Sequence, residues 1–410
     1  MKKNVLLITA CLAHSLLLLA FTYIELKSPY TTGEELTMLQ LTSGLKRKVF
    51  LRKEKPSPDR FLFISVSWDK KLVEKKDEYD TPVGQQPITD RSKIADFLQI
   101  LNQKPDNHKF ITLDIFFEDS TTGQPQDDIR LAAELARTKN LLIPYHMGDS
   151  SQPNYPIFKA PLGLADYEPT VEGLLIKFSI VNSQGHKTMP LLMYENVSGK
   201  EFKPGMIVDE LGGKPVLSSF ILDHRIFQED VMAPNAPLYH KLYLNELLKL
   251  DPEYIHDFTK DKIIIIGDLD NRVDMHKTIY GDMLGPVILL NAFLALENGD
   301  NQITWYFLLF LLCSYMLISY VCFKQVDILE GWLFRWLPKW LAIPGYVKEM
   351  MESFASYLLY FGLLSIMSYM LFNFHLTIFL ISIYMQVLEW IIKNIRRRVE
   401  QSETVIKSAQ

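Results

Sequence analysis

The densest group of side chains able to carry out chemistry lies in the stretch LDIFFEDSTTGQPQDD, which contains five carboxylates. Acids grouped in this way can bind a cation or act as a general acid and base. Asp114, Glu118 and Asp119 accompany the end of an apolar run, whereas Asp127 and Asp128 stand where a helix-like run begins. A carboxylate at a helix start accepts backbone N–H groups and suits the positive end of the helix dipole. Capping therefore explains Asp127 and Asp128, and only the first three acids remain candidates for a site.

A second group of polar side chains follows the apolar run KIIIIG and includes Asp268, Asp274 and His276. If this run and the run before Asp114 are neighbouring parallel strands, their carboxyl ends meet at one edge, where open parallel sheets usually bind ligands. The set predicted to converge there on a cation or a polar ligand is Asp69, Asp114, Glu118, Asp119, Asp268, Asp274 and His276. The spacing matches neither a calcium loop nor an H-E-x-x-H helix, so no metal site is predicted. Solvated loop acids are the alternative.

Recognised signatures of catalysis are missing from the sequence. It has no G-x-S-x-G elbow, no P-loop and no kinase motif set. No glycine-rich phosphate fingerprint follows any strand-like run. Cys11, Cys313 and Cys322 all lie in apolar segments, which leaves no zinc site or disulfide framework for the polar part of the chain. We therefore expect a protein that is not an enzyme and has no catalytic residue and no cofactor. An enzyme that uses the acids described above is the weaker alternative.

The elements that must position these acids alternate between two kinds of pattern. Apolar, strand-like runs cover 60–67, 109–117 and 141–145, and helix-like runs with apolar residues on one face cover 92–103 and 127–138. The resulting β-α-β-α-β order predicts a mostly parallel sheet covered by helices.

Later segments of the polar block add further elements to this pattern. The run at 262–267 predicts a central strand, and 285–298 predicts a helix that ends at Gly299.

Three less regular segments of the same block also carry predictions. The runs at 174–181 and 189–194 predict a hairpin around Asn-Ser-Gln-Gly. The segment 237–250 predicts a helix, and 70–80 predicts a charged, solvated loop.

Four segments are apolar and long enough to span a membrane, which takes about 20 residues of helix. They cover 5–24, 304–323, 354–372 and 374–392. The predicted fold class is an α/β extracytoplasmic domain with a mostly parallel sheet, plus four transmembrane α-helices. Along the chain this gives an anchor at 1–24, the α/β domain at 25–303, a second transmembrane helix at 304–323, a cytoplasmic interfacial segment at 324–353, a transmembrane hairpin at 354–392 and a short basic tail at 393–410.

Lysine and arginine indicate the orientation, because they concentrate on the cytoplasmic side of membrane proteins. Lys2 and Lys3 precede the first segment, and further basic residues lie at 324–353 and 393–410, whereas the short connection at Asn373 has none. This predicts a multi-pass protein of a bacterial inner membrane, with both termini in the cytoplasm and the large domain in the periplasm. A cleavable signal peptide is the alternative for the first segment, although its apolar core is long for one.

Tryptophans mark the predicted membrane interfaces. Trp332, Trp336 and Trp340 are four residues apart and share one face of a helix, which is typical of a helix lying in the interface. A polar linker is the alternative for that segment. Trp305 and Trp390, near the ends of two predicted spans, complete the interface set.

The order of motifs resembles the second type of CHASE domain, a family of extracellular sensors associated with cyclases and histidine kinases. The run KFITLDIFFEDSTTGQPQDDIRLAAELARTKNLLIPY resembles its hallmark, an apolar strand, D-x-x-F, a variable loop, a D-D helix and another strand. The run KDKIIIIGDLDNRVDMHKTIYGDMLGPVILLNAFLA resembles its closing motif. One span before the domain and three after it are also familiar in this family. The matching residues are Asp114, Phe117, Asp127, Asp128, Leu131, Ala132, Leu135, Lys262, Ile266, Gly267, Asp274, Thr278, Pro286, Val287 and Ala292.

The sequence departs from this resemblance at two places. Pro286 follows Gly285, which reverses the usual Pro-Gly order, and only the short segment 393–410 stands where members carry an output domain. The resemblance therefore implies a sensor-like subunit that binds a ligand or partner outside and acts through another chain. A structural or scaffolding subunit of a cell-envelope complex is the alternative. In both cases other membrane or periplasmic proteins are the expected partners, a homo-oligomer stays open, and nucleic acid is not expected.

Overall fold

The computed structural model describes residues 2–46, 54–76, 79, 81–119, 125–148, 152–167, 170, 173–232, 238–270, 274–326 and 345–408. The strands are β1 (Phe61–Ser65), β2 (Lys70–Lys76), β3 (Pro82–Thr89), β4 (Phe110–Asp114), β5 (Leu141–Met147), β6 (Pro153–Asn154), β7 (Leu162–Leu164), β8 (Leu174–Leu175), β9 (Lys177–Ser179), β10 (Phe202–Lys203), β11 (Asp209–Leu211), β12 (Lys214–Val216), β13 (Ser219–Ile221), β14 (Lys241–Tyr243), β15 (Ile263–Gly267), β16 (Met275–Thr278) and β17 (Gly281–Leu284). The helices are α1 (Lys2–Leu26), α2 (Gly33–Leu45), α3 (Arg91–Leu101), α4 (Pro125–Arg137), α5 (Met189–Ser198), α6 (Gln228–Met232), α7 (Leu244–Leu247), α8 (Pro252–Thr259), α9 (Gly285–Asn298), α10 (Trp305–Lys324), α11 (Gly345–Phe372) and α12 (Ile378–Ser408).

Contacts divide the chain into two compact units. The helical unit combines Met1–Arg52 with Gln302–Gln410, and the α/β unit is Lys53–Asn301. The predicted block at 25–303 also took in α2, whereas the structure groups this helix with the membrane-type helices.

A mostly parallel, seven-stranded sheet forms the centre of the α/β unit, with the order β14-β1-β15-β4-β5-β6 and β7 paired with β5. All neighbours run parallel except β6, which is antiparallel to β5. β15 lies between β1 and β4, and all five of its residues are buried, as its run of isoleucines predicts for a central strand. The strands predicted at 60–67, 109–117, 141–145 and 262–267 are therefore confirmed.

Apolar residues on both faces of the sheet build two hydrophobic layers, since successive side chains of a strand point to opposite faces. Phe61 and Phe63 of β1 lie in the layer that contains α5 and α9. Leu62 and Ile64 of the same strand lie in the layer that contains α3 and α4. The predicted helices at 92–103, 127–138 and 285–298 are confirmed, and Gly299 ends α9 in the left-handed conformation, with a φ of 71°.

The predicted hairpin between 174–181 and 189–194 is wrong in its second half. A turn does form there, with Gly185 N donating to Asn182 O at 3.0 Å. The following segment is α5, however, because Pro190 suits the first turn of a helix and Gly199 ends it with a φ of 68°. The strand β9 pairs instead with β13.

Two other predictions in the same unit are also wrong. In the charged segment predicted as a loop at 70–80, residues Lys70–Lys76 form β2, which pairs with β3 in an antiparallel hairpin. The first half of 237–250 is not helical, because β14 joins the edge of the sheet beside β1, and α7 follows it. Tertiary pairing overrides local pattern at such short segments.

Among its described residues, the helical unit contains four candidate membrane spans: Asn4–Leu26, Trp305–Lys324, Val347–Phe372 and Ile378–Ser402. Hydrogen bonds between polar side chains connect these helices, for example between the hydroxyl groups of Thr22 and Tyr315 at 2.6 Å. His14 of α1 bonds to Ser319 of α10 at 2.7 Å and to Tyr384 of α12 at 3.0 Å.

The tryptophans predicted at membrane interfaces divide into two groups. Trp305 and Trp390 lie at the start of α10 and within α12, and their side chains are exposed to 59% and 63%. Trp332, Trp336 and Trp340 lie outside the described residues.

Candidate functional site

Three of the seven predicted binding residues come together at the carboxyl edge of the sheet. Asp114 ends β4, Asp274 immediately precedes β16, and His276 belongs to β16. His276 Nε2 hydrogen-bonds to Asp274 Oδ1 at 2.9 Å. The carboxylates of Asp114 and Asp274 are near enough to repel each other, since the charge of Asp274 raises the pKa of Asp114.

The start of α9 leaves room for one of these carboxylates. A Cβ atom at Gly285 would lie only 2.4 Å from Asp274 Oδ2, so the carboxylate occupies space that every other residue type would fill. The reversed order of Gly285 and Pro286 therefore has a local reason here, because glycine lies beside the acid and proline stands in the first turn of the helix.

Three residues that the sequence did not single out complete this group. His146, the second-last residue of strand β5, hydrogen-bonds through Nδ1 to Asp166 Oδ1 at 2.6 Å. Asp166 Oδ2 accepts a hydrogen bond from Met147 N at 2.6 Å. The Tyr167 hydroxyl hydrogen-bonds to His276 Nδ1. We call the six residues the edge cluster: Asp114, His146, Asp166, Tyr167, Asp274 and His276.

The edge cluster perturbs the titration of its own members. Burial raises the pKa of Asp114 to about 7, repulsion by Asp274 adds to this, and His146 and His276 oppose it. The hydrogen bond to Asp166 raises the pKa of His146. Burial raises the pKa of Tyr167 to about 12. The cluster can therefore hold or release protons near neutral pH, and its hydroxyl stays a hydrogen-bond partner rather than an anion.

A cavity of about 220 Å³ adjoins the edge cluster and shares Asp166 and Tyr167 with it. It is small compared with the 300–1,000 Å³ typical of drug-sized sites, so it fits only a small molecule. Seven of its ten lining residues have polar side chains. The lining residues are Met147, Gly148, Leu164, Asp166, Tyr167, Ser179, Asn182, Ser183, Gln184 and Thr188.

Asp69 and Asp268 do not join the edge cluster. Asp69 is buried, with 1% of its side chain exposed, and accepts hydrogen bonds from Lys93 Nζ at 2.5 Å and Asn245 N at 3.3 Å. Asp268 accepts from Ser67 Oγ at 2.5 Å and pairs with Lys70 at 3.4 Å. Both acids hold loops that follow strands at the same edge of the sheet, and each carboxylate is paired with a lysine.

Glu118 and Asp119 are exposed and also stay apart from the edge cluster. Asp127 and Asp128 lie in the first turn of α4, as the helix-start interpretation predicted, and their carboxylates also pair with Lys71 at 2.9 Å and Arg91 at 2.6 Å. Within the described ranges, no group of three or more His, Cys, Asp or Glu is arranged to hold a metal ion.

A family model for the CHASE2 domain matches residues 16–319, which is well over half of the 410 residues. The chain belongs to the CHASE2 family. This confirms the resemblance seen in its motifs, and it makes the chain a member of a family of sensory domains. The CHASE2 match begins inside α1 and ends inside α10, so it includes parts of two candidate membrane helices as well as the whole α/β unit. No curated protein and no solved structure matches the chain.

Open parallel sheets usually bind ligands at the carboxyl edge of their strands. This rule also explains which residues of the CHASE2 site could be predicted from the sequence. His146 directly follows the predicted strand LLIPY at 141–145 and obeys the same rule as Asp114, so it was identifiable. Asp166 and Tyr167 follow β7, a strand of three residues directly after Pro161, which is too short to give a pattern.

Proposed function

We propose that this CHASE2 chain is a non-catalytic membrane sensor whose α/β unit binds a small polar ligand beside the edge cluster and acts through a separate chain. The observation that carries the proposal is the convergence of six acidic, imidazole and phenol groups at the carboxyl edge of the sheet, next to a small cavity that polar side chains help to line. This edge is the usual ligand position in open parallel sheets.

The chemistry of the site favours binding over catalysis. The described partners of His146 and His276 are acids and a phenol, so both imidazoles are held in fixed orientations. The cavity is lined by hydroxyl, amide and carboxylate side chains, with no cysteine or lysine among its described lining residues. Hydroxyl and amide groups such as those of Ser179 and Asn182 suit recognition of a polar molecule.

We place the protein in a bacterial inner membrane, with the α/β unit in the periplasm and both termini in the cytoplasm. The distribution of lysine and arginine supports this orientation. The extracellular character of CHASE-type sensors agrees with it.

The far end of α12 supports action through a partner chain. The helix has 31 residues and is therefore about 46 Å long at 1.5 Å per residue, longer than a hydrocarbon core of about 30 Å. Its second half exposes the apolar side chains of Ile395 and Val399 among basic residues. A partner helix would cover such a face.

Ligand binding is tested on the full chain in detergent by thermal unfolding with a defined panel of small amino acids, sugars, polyamines and carboxylates. A ligand of this site raises the Tm of the wild type, and Asp166→Asn and Tyr167→Phe abolish the rise. The exposed Asp106→Asn is the matched control and keeps it. A panel without any shift, or shifts that survive both site variants, contradicts the proposed site.

A scaffolding role in an envelope complex is the second candidate function, and one surface favours it. Tyr254 and Phe258 lie four residues apart on α8 and are exposed to 61% and 44%. A partner protein would cover this apolar face. Replacing both with serine should release co-purifying proteins if the α/β unit is a scaffold, and should leave them bound if the contact to the partner runs through α12.

A further inference from the structure

The cavity beside the edge cluster has one carboxylate among its described lining residues. Asp166 is that acid, and none of the ten lining residues is a lysine, an arginine or a histidine. Lys187 is the neighbour of the lining residue Thr188 in the sequence, but both oxygens of Glu195 bind its ammonium group, at 2.7 and 2.9 Å. The described lining therefore offers a ligand negative charge and no positive charge.

The carboxylate of Asp166 can accept more hydrogen bonds than the two it makes within the chain. Its Oδ1 bonds to His146 Nδ1 and its Oδ2 accepts from Met147 N, both at 2.6 Å. An ionised carboxylate has about four acceptor positions on its two oxygens. The side chain is also 35% exposed, so a ligand can reach it. Asp166 thus retains acceptor capacity toward the cavity that it lines.

The hydroxyl of Tyr167, the next lining residue, is an acceptor as well. His276 donates through Nε2 to Asp274 Oδ1 at 2.9 Å, because a carboxylate oxygen accepts. In the neutral imidazole Nδ1 is then an acceptor, so the Tyr167 hydroxyl donates its hydrogen to Nδ1. Burial raises the pKa of Tyr167 to about 12, so the hydroxyl keeps this hydrogen. The oxygen of Tyr167 is left with lone pairs for a ligand.

Two further lining side chains have fixed hydrogen-bonding roles. Thr188 is only 1% exposed, and its Oγ1 donates its single hydrogen to Ile180 O at 3.0 Å. Its oxygen is therefore a third acceptor. Asn182 is the opposite case, since its Oδ1 accepts from Gln184 N at 3.0 Å and His186 N at 2.9 Å. The amide nitrogen of Asn182 is a donor that suits a ligand hydroxyl.

We propose that this cavity binds a small primary ammonium ion, with Asp166 as its charge partner and Tyr167 and Thr188 as further acceptors. This inference rests on the proposed sensor function, because it names the class of ligand for the same site. An ammonium group has three donors and no acceptor, which complements three acceptor side chains. The Asn182 amide donates to a hydroxyl group on the same ligand. The volume of about 220 Å³ limits that ligand to a short carbon skeleton.

Isothermal titration calorimetry of the full chain in detergent at pH 8 tests the class of ligand. The probes are ethanolamine, ethylene glycol and glycolate, which share a two-carbon skeleton with one hydroxyl group and differ in charge. Ethanolamine is expected to bind at least about tenfold more tightly than either of the other two, because hydrogen bonds that involve charged groups are the stronger ones.

Three variants test the roles of the side chains. Asp166→Asn removes the charge partner and should weaken ethanolamine binding at least about tenfold, so that the preference over ethylene glycol disappears. Tyr167→Phe keeps the ring, removes one acceptor and should weaken ethanolamine binding a few-fold. Asp106→Asn, a matched change at an exposed acid that pairs with Lys139, is the control and should bind all three probes as the wild type does. Thermal unfolding without a probe shows that each variant is folded.

Three outcomes overturn the inference: glycolate or ethylene glycol binding as tightly as ethanolamine, ethanolamine binding that survives Asp166→Asn, and no binding of ethanolamine. The first outcome leaves the proposed sensor function standing if Asp166→Asn abolishes the binding, because the site then takes a ligand of another charge. After the third outcome, the wider ligand panel still decides on the sensor function by itself.

Discussion

Asp114 is the residue whose ionisation depends most on its surroundings in the edge cluster. Its pKa in the folded chain is raised to about 7 from an ordinary value of 3.8, first by burial and then by Asp274. The folded state therefore retains a proton that the unfolded state releases, and stability falls as the pH rises from about 4 to about 7.

Asp114→Asn should remove this pH dependence. We expect the variant to gain on the order of 2 kcal/mol relative to wild type between pH 5 and pH 8, allowing for partial solvent access. Thermal unfolding of the full chain in detergent across this pH range measures the gain. The exposed Asp119→Asn is the control, and equal pH slopes for wild type and Asp114→Asn would contradict the assigned burial.

His146 should show a pH dependence of the same sign in a higher pH range. Its pKa is raised above the ordinary 6.5, mainly by the hydrogen bond to Asp166, so its stabilising contribution is present below about pH 6.5 and is lost as the pH rises through the raised value. Both partners are more than a third exposed, at 39% and 35%, so the effect is below about 1 kcal/mol. His146→Gln should lower the Tm at pH 6 and have little effect at pH 9, and a loss that is the same at both pH values would refute this.

Sequence reasoning at the residue level found half of the edge cluster. Asp114, Asp274 and His276 were identified because polar side chains that end or follow an apolar, strand-like run can be recognised from the sequence alone. The same reasoning added Asp69 and Asp268, because it cannot show that a lysine from another element already pairs with a carboxylate. Partner choice depends on distances between segments, which only the folded chain provides.

At the scale of elements, α9 depends on one buried polar side chain. Asn291 is fully buried, and its Oδ1 accepts hydrogen bonds from Arg225 N at 2.8 Å and Ile226 N at 3.0 Å. Its Nδ2 donates to Ile226 O at 2.8 Å. One amide thus pairs three backbone groups of an irregular segment that would otherwise be buried without partners.

Asn291→Leu should destabilise the α/β unit strongly. Leaving buried backbone groups unpaired costs about 1–3 kcal/mol each, so we expect a loss of at least about 3 kcal/mol and a large drop in folded yield. Thermal unfolding and detergent-soluble yield measure this. The same substitution at the exposed Asn298 of the same helix should cost less than about 1 kcal/mol, and equal losses at both positions would show that the bonds to 225–226 matter little.

Two of the elements that the sequence predicts well are continuous apolar runs. The isoleucines of β15 and the apolar run of α9 predict elements that are buried on all sides, and the structure shows both of them buried. β14 and α5 were mispredicted because the first is three residues long and the second contains residues that suit either state. β14 is a strand because it pairs with β1, and α5 is a helix because Pro190 suits its first turn.

At the scale of the whole molecule, the hydropathy of the chain predicts the membrane helices because hydropathy is a local property. The grouping of α2 with those helices is not local, since its partners lie around residues 373–379. No property of the α2 sequence itself indicates that contact.

The orientation of the chain gives a direct test at this scale. In a background without native cysteines, a membrane-impermeant maleimide added to intact spheroplasts should label Ser183→Cys, which is exposed in the α/β unit. Ser402→Cys, exposed near the end of α12, should react only after the membrane is permeabilised. The reverse pattern would place the α/β unit in the cytoplasm and remove the proposed external sensor.

The sheet of the α/β unit ends in very short strands, since β14 has three residues and β6 has two. Lys241 at one end directs its ammonium group to Asp270, at 2.5 Å. Edge strands this short have few unpaired backbone N–H and C=O groups, and a charged side chain lies beside them. Both features discourage pairing with a strand of another molecule. Strand addition at these two borders is therefore disfavoured, so this sheet should be a poor template for fibril growth.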